Sequence, residues 1–426
     1  MAPLLYGTLE SIRKWGDTSG VNVNWNTMAE FLKTLERIKL GVNFGTLVGH
    51  ATIRRALIGE VSRDLTDREL EVFSEIITTA LKEGALGLST GLGYSHGRGT
   101  PYDEIKKIVK IVAKYHGVYA THLRNEKEGI VAATQETILI AKETGAKTLI
   151  SHFRPIAGYE NEFEKALALI ENNPDKLDLH FDLYPFNYSI LPIYTLLPSW
   201  AHEGSLEEMH AQVRDEQMES EIIKDIPSFK SDDLIIARAT GFDYLVGKTV
   251  GEFSKGQGLT LKKGLLHLMR ITKLKAVLFH KNINLAVSQN ALISDRALVA
   301  SNSPSLIENK NVLENDRAKK TFTEFLHLLS KFSPSTGGRS SSDGRKKSLE
   351  WAVAKITSEP ARKFNLRDRG IIKEGMIADL VMMRPMVPNA PLGGDNKIVN
   401  VFVGGALAVD GGKTTGLRAG QILRRS

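Results

Sequence analysis

The chain has 426 residues, 42% hydrophobic and 25% charged, with no cysteine and a formal net charge of +7. That length supports a large core and two domains, and the absence of cysteine excludes a disulfide scaffold and any thiolate metal ligand from this chain. The basic excess lies in short interrupted runs (Lys262-Lys263, Lys319-Lys320, 345–347, Arg424-Arg425) without interleaved aromatics, which argues against a nucleic-acid surface, and no apolar run is long enough to span a membrane.

Residues 1–24 show little periodicity and read as a connecting arm, with no secretion signal, so a cytoplasmic location is expected. Residues 25–39 form an amphipathic helix with Met28, Phe31, Leu32, Leu35 and Ile38 on one face. GVNFGTLVGH is a buried strand ending at His50, followed by a helix over 67–83 that Gly84 closes. GALGLSTGLGY is the next strand, carrying Ser89, Thr90 and Tyr94 at its end, and a helix over 103–115 follows. GVYATHLRNE then ends an apolar run at His122. Ile130, Ala133, Thr134, Thr137, Ile138 and Ala141 share one helical face, Gly145 stops that helix, and TLISHFR ends the next apolar run at His152. This is a strand–helix–strand unit, so the two histidines sit at matched ends of parallel strands about 4.8 Å apart and point into one space. Two converging imidazoles suit a zinc ion. Strand and helix alternate four times before residue 160, which means a parallel sheet with helical cover.

A helix over 162–171 leads to LDLHFDLYPF, a strand with His180, Asp182 and Tyr184 on one side and Leu179, Phe181 and Leu183 on the other. Residues 199–232 read as a polar helical insertion or lid over the strand ends. A short strand over 233–238, helix over 249–270, and short strands in AVLFHKNIN and ALVASNS follow. Residues 333–347 have loop composition and 349–355 form a helix. From Asn365 the texture becomes short β runs, ADLVMMR and then IVNVFVGGALAVDGG, a hairpin around Gly404-Gly405. The expected division is an arm (1–24), a large α/β domain (25–364) and a small all-β subdomain (365–426).

Six phrases carry a family resemblance: NFGTLVGHATIR, EGALGLSTGLGY, YATHLRNE, LISHFR, DLYPF and SEPARKFNLRDRGIIKEGMIADLVMM. In this order and at these spacings, the chain resembles the N-acyl-D-amino-acid deacylase (D-aminoacylase) family of the amidohydrolase superfamily over residues 25–425. The resemblance implies an α/β fold, a partial (β/α)8 TIM-type barrel of about six of eight strands with a C-terminal partial β-sandwich. It implies zinc on His122 and His152, catalytic positions at Tyr94 and Asn302, and substrate contacts from Arg154, Tyr184, Ser189 and Arg317. The substrate is then a small N-acyl amino acid. Zinc activates water and the scissile carbonyl, a carboxylate moves the proton, and a cation anchors the free carboxylate.

The departures are as informative. The family's opening HxH strand and its cysteine-bearing strand are not here, nor is the N-terminal half of the sandwich, so two barrel strands are missing and a homo-oligomer or separate chain is expected to supply them. His50, His180 and Asp182 are the candidates for further ligands, read as structural or supporting residues. Asn302 stands where the family has its aspartate, and an amide cannot act as a general base; Asp295, in LISDRAL, offers the dipeptide only after a seven-residue shift. His96 replaces a family proline and reads as an exposed loop residue. Weak or no activity is expected from this chain alone. The alternatives are an inactive binding or scaffold homologue, or a hydantoinase or dihydroorotase type, which the lack of a lysine in GALGLST disfavours.

Overall fold

In a computed structural model of the protein, residues 25–59, 61, 63–173, 176–201, 205–303, 313–330, 348–384 and 398–424 are described. The expected arm (1–24) and loop (333–347) lie outside them.

The parallel sheet grows from the strand period. Strands β1 (Val48–Gly49), β2 (Gly87–Gly91), β3 (Val118–His122), β4 (Lys147–Ile150) and β5 (Leu179–Leu183) follow one another along the chain and pair in that order, all parallel. In β5 the residues alternate, with Leu179, Phe181 and Leu183 fully buried and His180 and Asp182 half-buried. The three apolar side chains join Phe163, Ala166 and Ile170 of helix Glu160–Glu171 in one core. Helices Asp67–Lys82 and Tyr102–Lys114 build a second core, in which Phe73 and Ile77 meet Ile105, Ile108, Val112 and Tyr119. Val118, Ala120, Leu149 and Leu298 make a separate small cluster. Val118 and Ala120 share a face of β3 with His122, so the period of two sets that histidine at the end of this face.

Three strands leave the parallel sheet. β6 (Ser189–Pro192), β7 (Leu234–Arg238) and β8 (Val277–His280) form an antiparallel sheet in the order β6–β8–β7. The strands expected over 233–238 and in AVLFHKNIN therefore belong to this second sheet. Short helices run over Ser199–Ala201, Leu206–Arg214 and Glu219–Asp225, and Met209, Val213 and Ile222 are fully buried with Leu234, Ile236, Leu265 and Leu278. The described part of the segment packs into this core, with Met209 and Val213 four residues apart on one face of the helix Leu206–Arg214 and Ile222 on the helix Glu219–Asp225. The chain returns through β9 (Ala297–Val299), which pairs parallel with β5 as the sixth strand of the first sheet.

The strand expected to end at His50 is only the pair Val48–Gly49, and His50 opens a helix, His50–Ile58, absent from the sequence reading. The upstream part of that apolar run is used elsewhere: Leu40 bridges Gly420 and Phe44 bridges Ile422. Strands β10 (Leu380–Met383), β11 (Ile398–Val403), β12 (Ala406–Asp410) and β13 (Lys413–Thr414) form a four-stranded antiparallel sheet that fits a β-sandwich. The expected hairpin turns at Gly404 and Gly405, whose φ values of 57° and 84° suit a two-residue connection. Among the described residues no helix is long and apolar enough to cross a membrane.

Candidate metal centre

His122 ends β3, and His152 lies two residues beyond β4. Its backbone is left-handed, with φ of 41°, an unfavourable region for a residue with a side chain. Asp182 holds it there: its Oδ1 accepts the His152 N–H at 2.7 Å, and its carbonyl accepts the Phe153 N–H at 2.9 Å. The turn brings the two rings together, with His122 Nδ1 3.2 Å from His152 Nε2 and ring centroids 4.6 Å apart. Tyr94 stacks on the other side of His122 at 4.4 Å, 15° from coplanar. Gly93 leaves room for the ring, since a Cβ there would fall 2.5 Å from His122 Nε2 and 2.8 Å from the Leu123 carbonyl.

Glu126 completes the cluster. Its Oε1 lies 3.4 Å from His152 Nδ1, and its Oε2 3.8 Å from His122 Nε2. Among the described residues, His122, Glu126 and His152 are the group of metal-type donors whose atoms, one from each side chain, all lie within 4.8 Å of one another. The sequence reading missed Glu126. The signal was a carboxylate four residues after the strand-end histidine, in a loop where helix and strand periods give no guidance.

The surroundings set the charges. Burial pushes the His122 pKa down to about 3, with Glu126 opposing and His152 and Arg154 adding to the fall, so the ring is a neutral donor. Burial alone would raise Glu126, but Arg154, His122 and His152 hold its carboxyl well below the usual carboxylate range. Arg154 donates from Nη2 to Glu126 Oε2 at 2.6 Å and from Nη1 to the Tyr184 hydroxyl at 3.3 Å. The Tyr184 ring lies 4.1 Å from the guanidinium carbon of Arg317, and the rings of Tyr188, Phe186 and Phe279 lie at 5.3, 5.5 and 6.0 Å. Arg317 is 1% exposed, and its three guanidinium nitrogens have no hydrogen-bond partner among the described residues. The aromatic faces offset part of the cost of burying that charge, but no acceptor is supplied.

Of the residues singled out from sequence, the structure gathers His122, His152, Tyr94, Arg154, Tyr184 and Arg317 through these contacts. Ser189 sits on β6, buried, and donates to Asn282 Oδ1 at 2.8 Å. Asn302 follows β9 with φ of 47°. Asp295 precedes β9 at the opposite end of the sheet, where it accepts from Trp351 Nε1 at 3.0 Å, so the shifted register does not bring it to the site. His50 is fully buried and meets Glu104 at 2.9 Å, a structural contact. His180 lies toward the other end of β5, 3.2 Å from both Asp178 and Lys363. Asp182 acts on the backbone of His152. His96 lies in the helix Ser95–Arg98, with its side chain outside the described set.

No protein-family profile matches the chain. It is 25% identical over 419 residues to D-aminoacylase from Alcaligenes xylosoxydans xylosoxydans, covering 96% of this chain and 75% of that one. It is 25% identical over 406 residues to N-acyl-D-aspartate deacylase from the same organism, covering 93% and 71%. The fold is shared with N-acyl-D-glutamate deacylase from Bordetella bronchiseptica, solved with zinc and a phosphonate inhibitor that mimics the tetrahedral intermediate; there the TM-score is 0.68 at 20% identity, covering 94% of this chain and 75% of that one. The resemblance carried by six short phrases thus extends along nearly the whole chain. With an α/β fold in common and 25% identity over more than nine-tenths of its length, the chain is similar to D-aminoacylase and to N-acyl-D-aspartate deacylase.

Proposed function

We propose that this chain carries the zinc site of an N-acyl-D-amino-acid deacylase, which hydrolyses the N-acyl amide to a carboxylate and a D-amino acid, with low turnover in this chain by itself. In this reading the six-stranded parallel sheet is part of a (β/α)8 barrel within residues 25–364, residues 199–232 are an insertion, and 365–426 form a partial β-sandwich. The observation that supports it most is the convergence of two imidazoles and a carboxylate beside two buried guanidinium groups.

Neutral imidazole nitrogens and a carboxylate oxygen suit zinc. When bound, the ion supplies Lewis acidity toward water and the scissile carbonyl. His122, His152 and Glu126 would hold it. Arg154 and Arg317 bind the free carboxylate of the substrate, with Tyr184 between them fixing their separation. Tyr94, with a pKa that burial raises, keeps its proton and donates it in a hydrogen bond to the developing oxyanion. Asn302, in the position of the family's aspartate, has no site for the transferred proton, which lowers turnover further but is the lesser defect in this reading, because the family's HxH and cysteine ligands are not among the described donors gathered at the site. The same amide favours a second reading, a binding protein on an enzyme fold.

The test measures zinc content of the purified chain and its hydrolysis of N-acetyl-D-amino acids. About one tightly held zinc is expected per site, lost in His122→Ala, with at most trace hydrolysis that Asn302→Asp does not restore. Robust turnover abolished by His122→Ala would overturn the impairment. Zinc held without turnover in either form supports the binding-protein reading, and a chain that holds no zinc ends the proposal.

A further inference from the structure

We infer that Glu126 couples the two halves of this site, so that metal binding at His122 and His152 and carboxylate binding at Arg154 each tighten the other. The inference rests on the metal-site reading above. One carboxylate faces two claimants: Oε2 accepts from Arg154 at 2.6 Å, and the same oxygen lies 3.8 Å from His122 Nε2, while Oε1 is 3.4 Å from His152. All four side chains are largely buried, between 10% and 17% exposed.

Charge counting gives the sign. Without metal, Glu126 and Arg154 cancel, and the guanidinium has little net pull on an anion. A divalent ion held by two neutral imidazoles and Glu126 leaves the cluster two positive charges in excess, a costly state in buried surroundings. An anion relieves it, and the geometry has a place for one. Among the described residues Arg154 Nε is buried without a partner, and Arg317, stacked on Tyr184, offers three unpaired nitrogens. The carboxylate therefore binds the metal-loaded protein more tightly, and linkage requires the converse. The preference for a carboxylate over its neutral amide is therefore larger when metal is present.

The test measures the Zn2+ dissociation constant of the full chain by competition with a chelator, with and without saturating 4-methylpentanoate. We expect roughly a tenfold tightening with the carboxylate and none with 4-methylpentanamide. Arg154→Met should retain Zn2+ binding but lose the response, which separates this mechanism from direct coordination of the carboxylate by the ion. Glu126→Gln should weaken Zn2+ binding while tightening 4-methylpentanoate binding measured by calorimetry in chelator, because the guanidinium is released; a merely structural glutamate would not give opposite signs. If either variant fails to fold, the wild-type comparison still decides. Zinc binding that depends on His122 but ignores the carboxylate overturns the coupling and leaves the metal site standing. No His122-dependent zinc binding overturns both.

Discussion

Arg317 shows at the scale of one residue how function and stability pull apart. Its guanidinium is 1% exposed, has aromatic faces around it and, among the described residues, no acceptor on any nitrogen. A buried charge left unpaired costs several kcal/mol, and a hydrophobic replacement of similar shape removes that cost. Arg317→Met is therefore expected to raise the thermal midpoint by a few degrees, equivalent to about 1–3 kcal/mol, and to raise KM for N-acetyl-D-amino acids, or Kd for a carboxylate ligand, by tenfold or more. Calorimetry and ligand titration check the two signs together, and a destabilised variant would mean that the aromatic faces alone satisfy the charge. The position was legible from the family resemblance, which implies a substrate contact there, but its lack of a partner among the described residues was not. Whether a buried arginine has an acceptor depends on side chains from β8 and the segment after β5, which sequence spacing does not bring together.

At the scale of the element, the site is made by a strand end and a turn. β3 delivers His122 through a regular period, whereas His152 depends on a left-handed turn clamped by Asp182 from the neighbouring strand. Regular alternation is visible in sequence; a positive φ at a histidine is not, and that is why Asp182 reads there as a structural or supporting residue without the backbone turn that it holds. The turn after β2 is the complementary part, because Gly93 lies against the His122 ring. Gly93→Ala would force a Cβ to 2.5 Å from Nε2 and close to a backbone carbonyl, so the ring must rotate. The expected result is at least a tenfold weaker Zn2+ affinity with a stability loss of about 1–3 kcal/mol. A metal titration alongside urea denaturation measures both, and unchanged Zn2+ affinity would show that the donor is Nδ1 with the ring already turned away.

At the scale of the molecule, the parallel sheet runs β1–β2–β3–β4–β5–β9, and among the described residues neither end strand has a second strand neighbour. β1 is two residues long and β9 three, and short edges limit the template offered to another chain. The C-terminal sheet is less protected: β10 stands at its edge with Leu380, Val381 and Met382 at 38%, 56% and 56% exposure. An exposed apolar edge of this kind pairs with other chains. Sedimentation velocity at micromolar concentration is expected to show self-association, reduced by Val381→Lys, whereas a monomer at all concentrations would mean the edge is covered within the chain.

The sequence by itself determined the alternation of strands and helices, a histidine at the end of β3 and a second just past β4, and the resemblance to the D-aminoacylases, because periodicity and short phrases are local and survive divergence. It also located the hairpin at Gly404-Gly405, since a two-residue turn with positive φ at both positions has few chemical solutions. Only the tertiary structure decided which strands share a sheet. β7 and β8 have the same texture as β9, yet they pair antiparallel with β6 and enclose a core of their own. Only it decided that His50 serves Glu104, that Asp182 holds a backbone turn, and that Glu126 stands between a pair of histidines and an arginine. Each of these is a meeting of side chains from different elements, governed by packing and by the need to satisfy buried charge, and no spacing along one segment encodes it.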